Sequence, residues 1–120
     1  MSIPNECHLY HHRPLTAELI RASLAPVKEY TDDLHLIRSL LRCSECGQLY
    51  FHEFFEIVDW VNGNDAQYSS WIPVADEASA DQLSLLSPME LNAYGGIHVD
   101  FPSGADEPTA PYWTGRGPGP

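Results

Sequence analysis

The segment Leu34 to Trp60 constrains this chain most, because two apolar runs meet there at Cys43-Ser44-Glu45-Cys46-Gly47. Two thiolates at i and i+3 in a tight turn aim both sulfurs at one point, and the amides of the turn can donate to them. That is half of a tetrahedral zinc site. Gly47 suits the turn, since the residue after the second cysteine often needs a positive φ. A redox C-x-x-C would instead open a helix after a strand, where the helix N-terminus lowers the thiol pKa. Here Gln48 to Trp60 follows, rich in β-formers and aromatics, so a metal-binding hairpin tip is the better reading.

Centring the tip on this turn sets the register. Residues whose numbers sum to about 91 face each other, which pairs Arg38 with Glu53, His35 with Glu56 and Leu40 with Phe51, and opposite charges meeting twice support the pairing. Asn62-Gly63 is a turn signal, after which Tyr68 to Val74 returns as a third strand with Pro73 at an edge or its end. Before the hairpin, Thr16 can cap a helix to about Leu24, closed by Pro26. After it, a helix over roughly 77–86 precedes the capping box Ser87-Pro88-Met89-Glu90. Gly95-Gly96 breaks that second helix, and Ile97 to Phe101 alternates as a short strand. The expected class is α+β, a three-stranded antiparallel meander with a zinc-ribbon-like knuckle, flanked by helices, in one domain over 1–101. From Pro102 to Pro120 the composition predicts a flexible Pro/Gly-rich tail, in which Tyr112 and Trp113 are large enough to pack on the body or serve a partner.

A zinc site needs four ligands, and a second C-x-x-C is absent. The economical source is the N-terminal cluster. Cys7 supplies a third thiolate and His11, or else His12 or His8, an imidazole, giving a Cys3His site with Cys43 and Cys46. His52 is a local alternative that lies further from the tip, opposite Ser39. With four protein ligands the site is closed and structural.

Charge excludes other classes. The formal net charge is −11, with five basic and five acidic residues up to Cys43 and twelve acidic residues against Arg116 alone beyond it. Direct nucleic-acid binding needs Lys and Arg to neutralise phosphates, so no direct nucleic-acid partner is expected; a basic protein partner fits better. No run reaches a membrane span's length, and Met1 to His8 lacks the basic, apolar start of a secretory signal. An odd number of cysteines suits a reducing cytoplasm. His52, Glu53 and Glu56 look like acid–base machinery, but on a strand His52 and Glu53 face opposite sides. Asp59 to Asp65 lacks the spacing and closing Glu of a calcium loop. No triad, phosphate loop or dinucleotide fingerprint is present, so no catalytic residue is assigned.

The run C-S-E-C-G-Q-L-Y-F-H-E-F, with D-W-V-N-G-N-D after it, resembles small uncharacterised bacterial proteins that carry a C-x-x-C-G-Q-x-aromatic hairpin. The resemblance spans about residues 40–74 and implies the knuckle and a compact accessory domain. The expected function is a small acidic, zinc-stabilised protein-interaction module of accessory, inhibitor or immunity type. Its rivals are a zinc enzyme with an open coordination position, Glu45 or Glu53 serving as base, and an acidic nucleic-acid mimic.

Overall fold

A computed structural model describes residues 7–114. The first six residues of the expected irregular N-terminus and residues 115–120, the closing G-R-G-P-G-P of the expected tail, lie outside the described residues.

The central hairpin forms as its side-chain pattern demands. Strands β2 (Leu36–Cys43) and β3 (Leu49–Ile57) pair antiparallel, with Arg38 opposite Glu53, Ser39 opposite His52 and Leu40 opposite Phe51. His35 sits one step beyond the ladder and still meets Glu56, ring nitrogen to carboxylate at 2.8 Å. Strand β4 (Ala66–Val74) returns along β3 after a turn in which the Asp59 carboxylate accepts from the amides of Val61 and Asn62. An Asn/Asp-rich turn is thus what that acidic loop builds.

Among the described residues the sheet has six strands rather than three. Strand β1 (Leu24–Asp32) lies outside β2, β5 (Gly96–Phe101) outside β4 and β6 (Tyr112–Thr114) outside β5, all antiparallel in chain order. Strands β2, β3 and β4 lie inside this larger sheet. β1 escapes a pattern-based reading because it is a mostly exposed edge strand carrying Pro26 and two register shifts, so its side chains never alternate. β6 falls inside the segment expected to be a flexible tail. Trp113 anchors it: the indole packs against the core and donates from Nε1 to the Leu9 carbonyl at 3.1 Å.

Each face of the sheet carries its own core. On one, Leu40, Phe51 and Ile72 stand in a cross-strand row beneath helices α3 (Glu77–Leu83) and α4 (Pro88–Leu91), which add Ala80, Leu83 and Leu91. The Ser87–Glu90 capping box is formed, and Lys28 of β1 clips α3 through Glu77 and Asp81. On the other face, helices α1 (His8–His11) and α2 (Ala17–Ser23), with the segment between them, bury Leu9, Ile20 and Leu15 against Tyr50, Trp71 and Ile97. The segment expected to be irregular therefore contains the short α1. Thr16 caps α2 as expected, accepting from the Leu19 amide.

Gly96 opens β5 where β4 runs closest. A Cβ there would lie 2.4 Å from the Trp71 carbonyl oxygen, so Gly96→Ala must push β5 off its neighbour. The expected cost is about 1–3 kcal/mol, read as a lower urea midpoint at unchanged m-value. An unchanged midpoint would mean that the two strands can part without penalty.

Candidate metal centre

The turn between β2 and β3 adopts the expected geometry. Gly47 has a φ of 82° and its amide donates to the Cys43 carbonyl at 2.8 Å, while the Cys43 amide donates to Gln48. Cys43 ends β2 on the face that carries Leu41 and Tyr50, so its sulfur points into the core beneath α1 and α2. Cys46, on the outer side of the turn, is exposed.

Ser23, the last residue of α2, joins this turn to the N-terminal segment. Its carbonyl accepts from both the amide and the hydroxyl of Ser44, at 2.9 and 3.2 Å, and its own hydroxyl lies 3.0 Å from His8 Nε2. Cys7, the residue before α1, is fully buried. The result is a convergence: the ligand atoms of Cys7, His8 and Cys43 all lie within 4.8 Å of one another, a group that could hold a metal ion. Cys46 lies near enough to Cys7 to add to the upward push on its thiol, but outside that closest group.

The surroundings suit a thiolate–imidazole donor set. His8 Nδ1 is 3.7 Å from Cys43 Sγ, close to the roughly 3.6 Å that separates sulfur and nitrogen around a tetrahedral zinc. The other ring nitrogen, Nε2, lies 3.3 Å from the Glu45 carboxylate and beside Ser23. A proton on Nε2 would serve these acceptors and leave the Nδ1 lone pair toward the sulfurs, the outer-shell arrangement that orients metal-bound histidines. The Tyr50 hydroxyl donates to Cys7 Sγ at 3.1 Å. Burial pushes the Cys7 thiol up to about 12, against the opposing Tyr50 hydrogen bond, so the metal-free thiol holds its proton at neutral pH. Ligation requires thiolate, and metal uptake must therefore release that proton.

Of the residues expected to bind metal, the structure brings together Cys7 and Cys43, with Cys46 alongside. The imidazole beside them is His8, not His11. The first position of α1 sets His8 against Ser23 and the Cys43 sulfur, whereas His11, at the last, is exposed with its ring edge-on to Tyr10. His12 is also exposed and contacts the Pro14 carbonyl. His52 stacks on Trp71 at 4.7 Å, away from the cluster, and burial lowers its pKa to about 4. Glu53 faces the opposite side of the sheet, paired with Arg38. Sequence reasoning missed Tyr50 and Ser23. Tyr50 was within reach: the register places it opposite Leu41, on the Cys43 face. Ser23 carried no signal, because its role depends on how α2 docks.

No family model matches the chain, and neither curated proteins nor solved structures gave a match. Among the described residues, no helix is long and apolar enough to cross a membrane.

Proposed function

We propose that this chain is a small acidic protein-interaction module whose fold is locked by a structural zinc held by Cys7, His8, Cys43 and Cys46. The observation that carries the reading is the meeting of the N-terminal Cys7–His8 pair with Cys43 of the hairpin. These groups are 35 or 36 positions apart in sequence, so a shared ion would close a long loop and fasten α1 and α2 onto the sheet. Zinc suits a Cys3His set better than magnesium or calcium, which prefer oxygen. Four protein ligands leave no position for water or substrate, which favours a binding role over hydrolysis. The partner surface in this reading is the end of the sheet away from the cysteine turn. Leu34, Trp60 and Val61 are each more than four-fifths exposed in the two turns there, and exposed aromatic and aliphatic side chains in a cluster mark interaction sites. The net charge of −11 favours a basic partner.

One observation favours a second reading. Cys46 is exposed and falls outside the closest three-residue group, so a three-ligand site with an open fourth position would make a zinc enzyme. Native mass spectrometry of the purified protein and its histidine variants tests both. One zinc per chain is expected, lost in His8→Ala together with thermal stability and kept in His11→Ala. Protein that carries no metal and melts unchanged after chelation would overturn the reading. Retention of zinc at full stability in Cys46→Ser would move the site to the three-ligand, open form.

A further inference from the structure

The sheet face opposite the cysteines is only half covered. Beyond the row Leu40, Phe51 and Ile72 under α3 and α4, the next row is polar: Arg38, Glu53, Ser70, His98 and Tyr112 stand side by side on five successive strands. The row after it sets Phe55 beside Tyr68 and Asp100. These two rows floor a groove of about 590 Å³, walled on one side by α4, a volume in the range of small-molecule sites.

Its chemistry is one-sided. Glu53 and Asp100 are carboxylates, and none of the residues lining the groove is Lys or Arg. Arg38 lies behind Glu53, its guanidinium spent on that carboxylate and on the Ser84 carbonyl, so it neutralises Glu53 and leaves Asp100 as the uncompensated charge. The Tyr112 hydroxyl donates to Asp100 Oδ2 and holds the carboxylate still. Aromatic faces flank it: Phe55 and Tyr68 stack at 5.2 Å, and Tyr112 leans on the His98 ring. A fixed carboxylate among π faces attracts a cation twice, through its charge and through the ring quadrupoles. The apolar part of the lining, Phe55, Ile57, Pro88 and Met89, rewards a ligand that carries hydrocarbon next to the charge.

We propose that this groove binds an organic ammonium or guanidinium ion with an apolar body, its cation on Asp100 between the rings of Tyr68 and Tyr112. The same chemistry has two sources, a free amine or the side chain of a lysine or arginine on a basic partner. The site does not depend on the zinc reading, since it lies on the other face of the sheet and is assayed without reference to metal content.

Titration of the full chain with phenethylammonium, followed by amide chemical shifts, tests it beside two neutral or anionic counterparts, phenethyl alcohol and 3-phenylpropanoate, and an acetylated arginine-containing peptide. Shifts are expected at Ser70, His98 and Asp100, with the alcohol at least tenfold weaker and the carboxylate silent. Asp100→Asn is expected to weaken the cation about tenfold. Met89→Lys is a second variant that spares the fold, since Met89 is 85% exposed at the mouth of the groove; its added cation should reduce binding to a similar degree. Tighter binding of the peptide than of the free amine assigns the source to a partner, and the reverse to a small molecule. Equal binding of the alcohol, or no shift at millimolar phenethylammonium and peptide, overturns the proposal.

Discussion

Cys43→Ser is expected to lose the metal and the stability of the domain in one step. Cys43 is the best-buried donor of the hairpin turn and the one that His8 Nδ1 approaches. A ligand that binds only the folded chain stabilises it by about 4 kcal/mol when present at a thousand times its Kd. For a domain of this size that loss lowers the melting temperature by on the order of 10 °C or more. The check is a pair of thermal melts, wild type and variant, each with and without chelator. Wild type should fall to the level of the variant on chelation, and the variant should not respond. A variant that melts low but still responds to chelator would show that serine damages packing while the metal sits elsewhere. A variant that melts as wild type would remove the cysteine turn from any account of stability.

The proton released on metal uptake gives the same site an independent readout. Burial holds the Cys7 thiol protonated in the metal-free chain, so apparent metal affinity should rise steeply with pH through the neutral range. The contribution of bound metal to stability is thus largest at alkaline pH and lost as the solution is acidified.

The middle of this fold could be read from the chain because local rules and long-range packing agree there. The turn residues, the alternation on either side and the two opposite-charge pairs all specify one register, and a slip of one residue would have put Tyr50 and Cys43 on opposite faces of the sheet. The edges could not be read in the same way. β1 is a strand because β2 offers it a ladder, not because Pro26, Val27, Lys28 and Glu29 form a β pattern. β6 exists because Trp113 finds a place beside Tyr50 and beside Leu9, the latter some hundred positions back along the chain. The candidate site divides likewise. Cys43 and Cys46 announce themselves by spacing, and Cys7 by being the remaining thiol. Which of the nearby imidazoles joins them depends on the phase of the single-turn helix α1 and on where Ser23 docks, and neither follows from spacing.

Arg38→Met is expected to cost about 3–5 kcal/mol at neutral pH, the usual consequence of removing one partner from a buried ion pair. Both side chains are almost inaccessible, Arg38 at 4% and Glu53 at 2% exposure, and the guanidinium reaches Glu53 through Nε at 2.8 Å and the second amino group at 2.6 Å. Burial already raises the Glu53 pKa, with Arg38 pulling it back down. Without Arg38 only the upward push remains, so the folded variant retains a proton that the unfolded chain gives up. The sign follows from that difference. The penalty vanishes below the ordinary carboxylate range, where Glu53 is protonated in both states, and grows as pH rises through it. The deficit of the variant relative to wild type, measured by urea unfolding, should therefore shrink on acidification. Arg38→Met combined with Glu53→Leu should recover most of the loss, because an apolar pair of similar volume leaves no buried charge. A double variant as unstable as the single one would assign the cost to the Ser84 carbonyl, which Arg38 also serves at 3.0 Å, rather than to the stranded carboxylate.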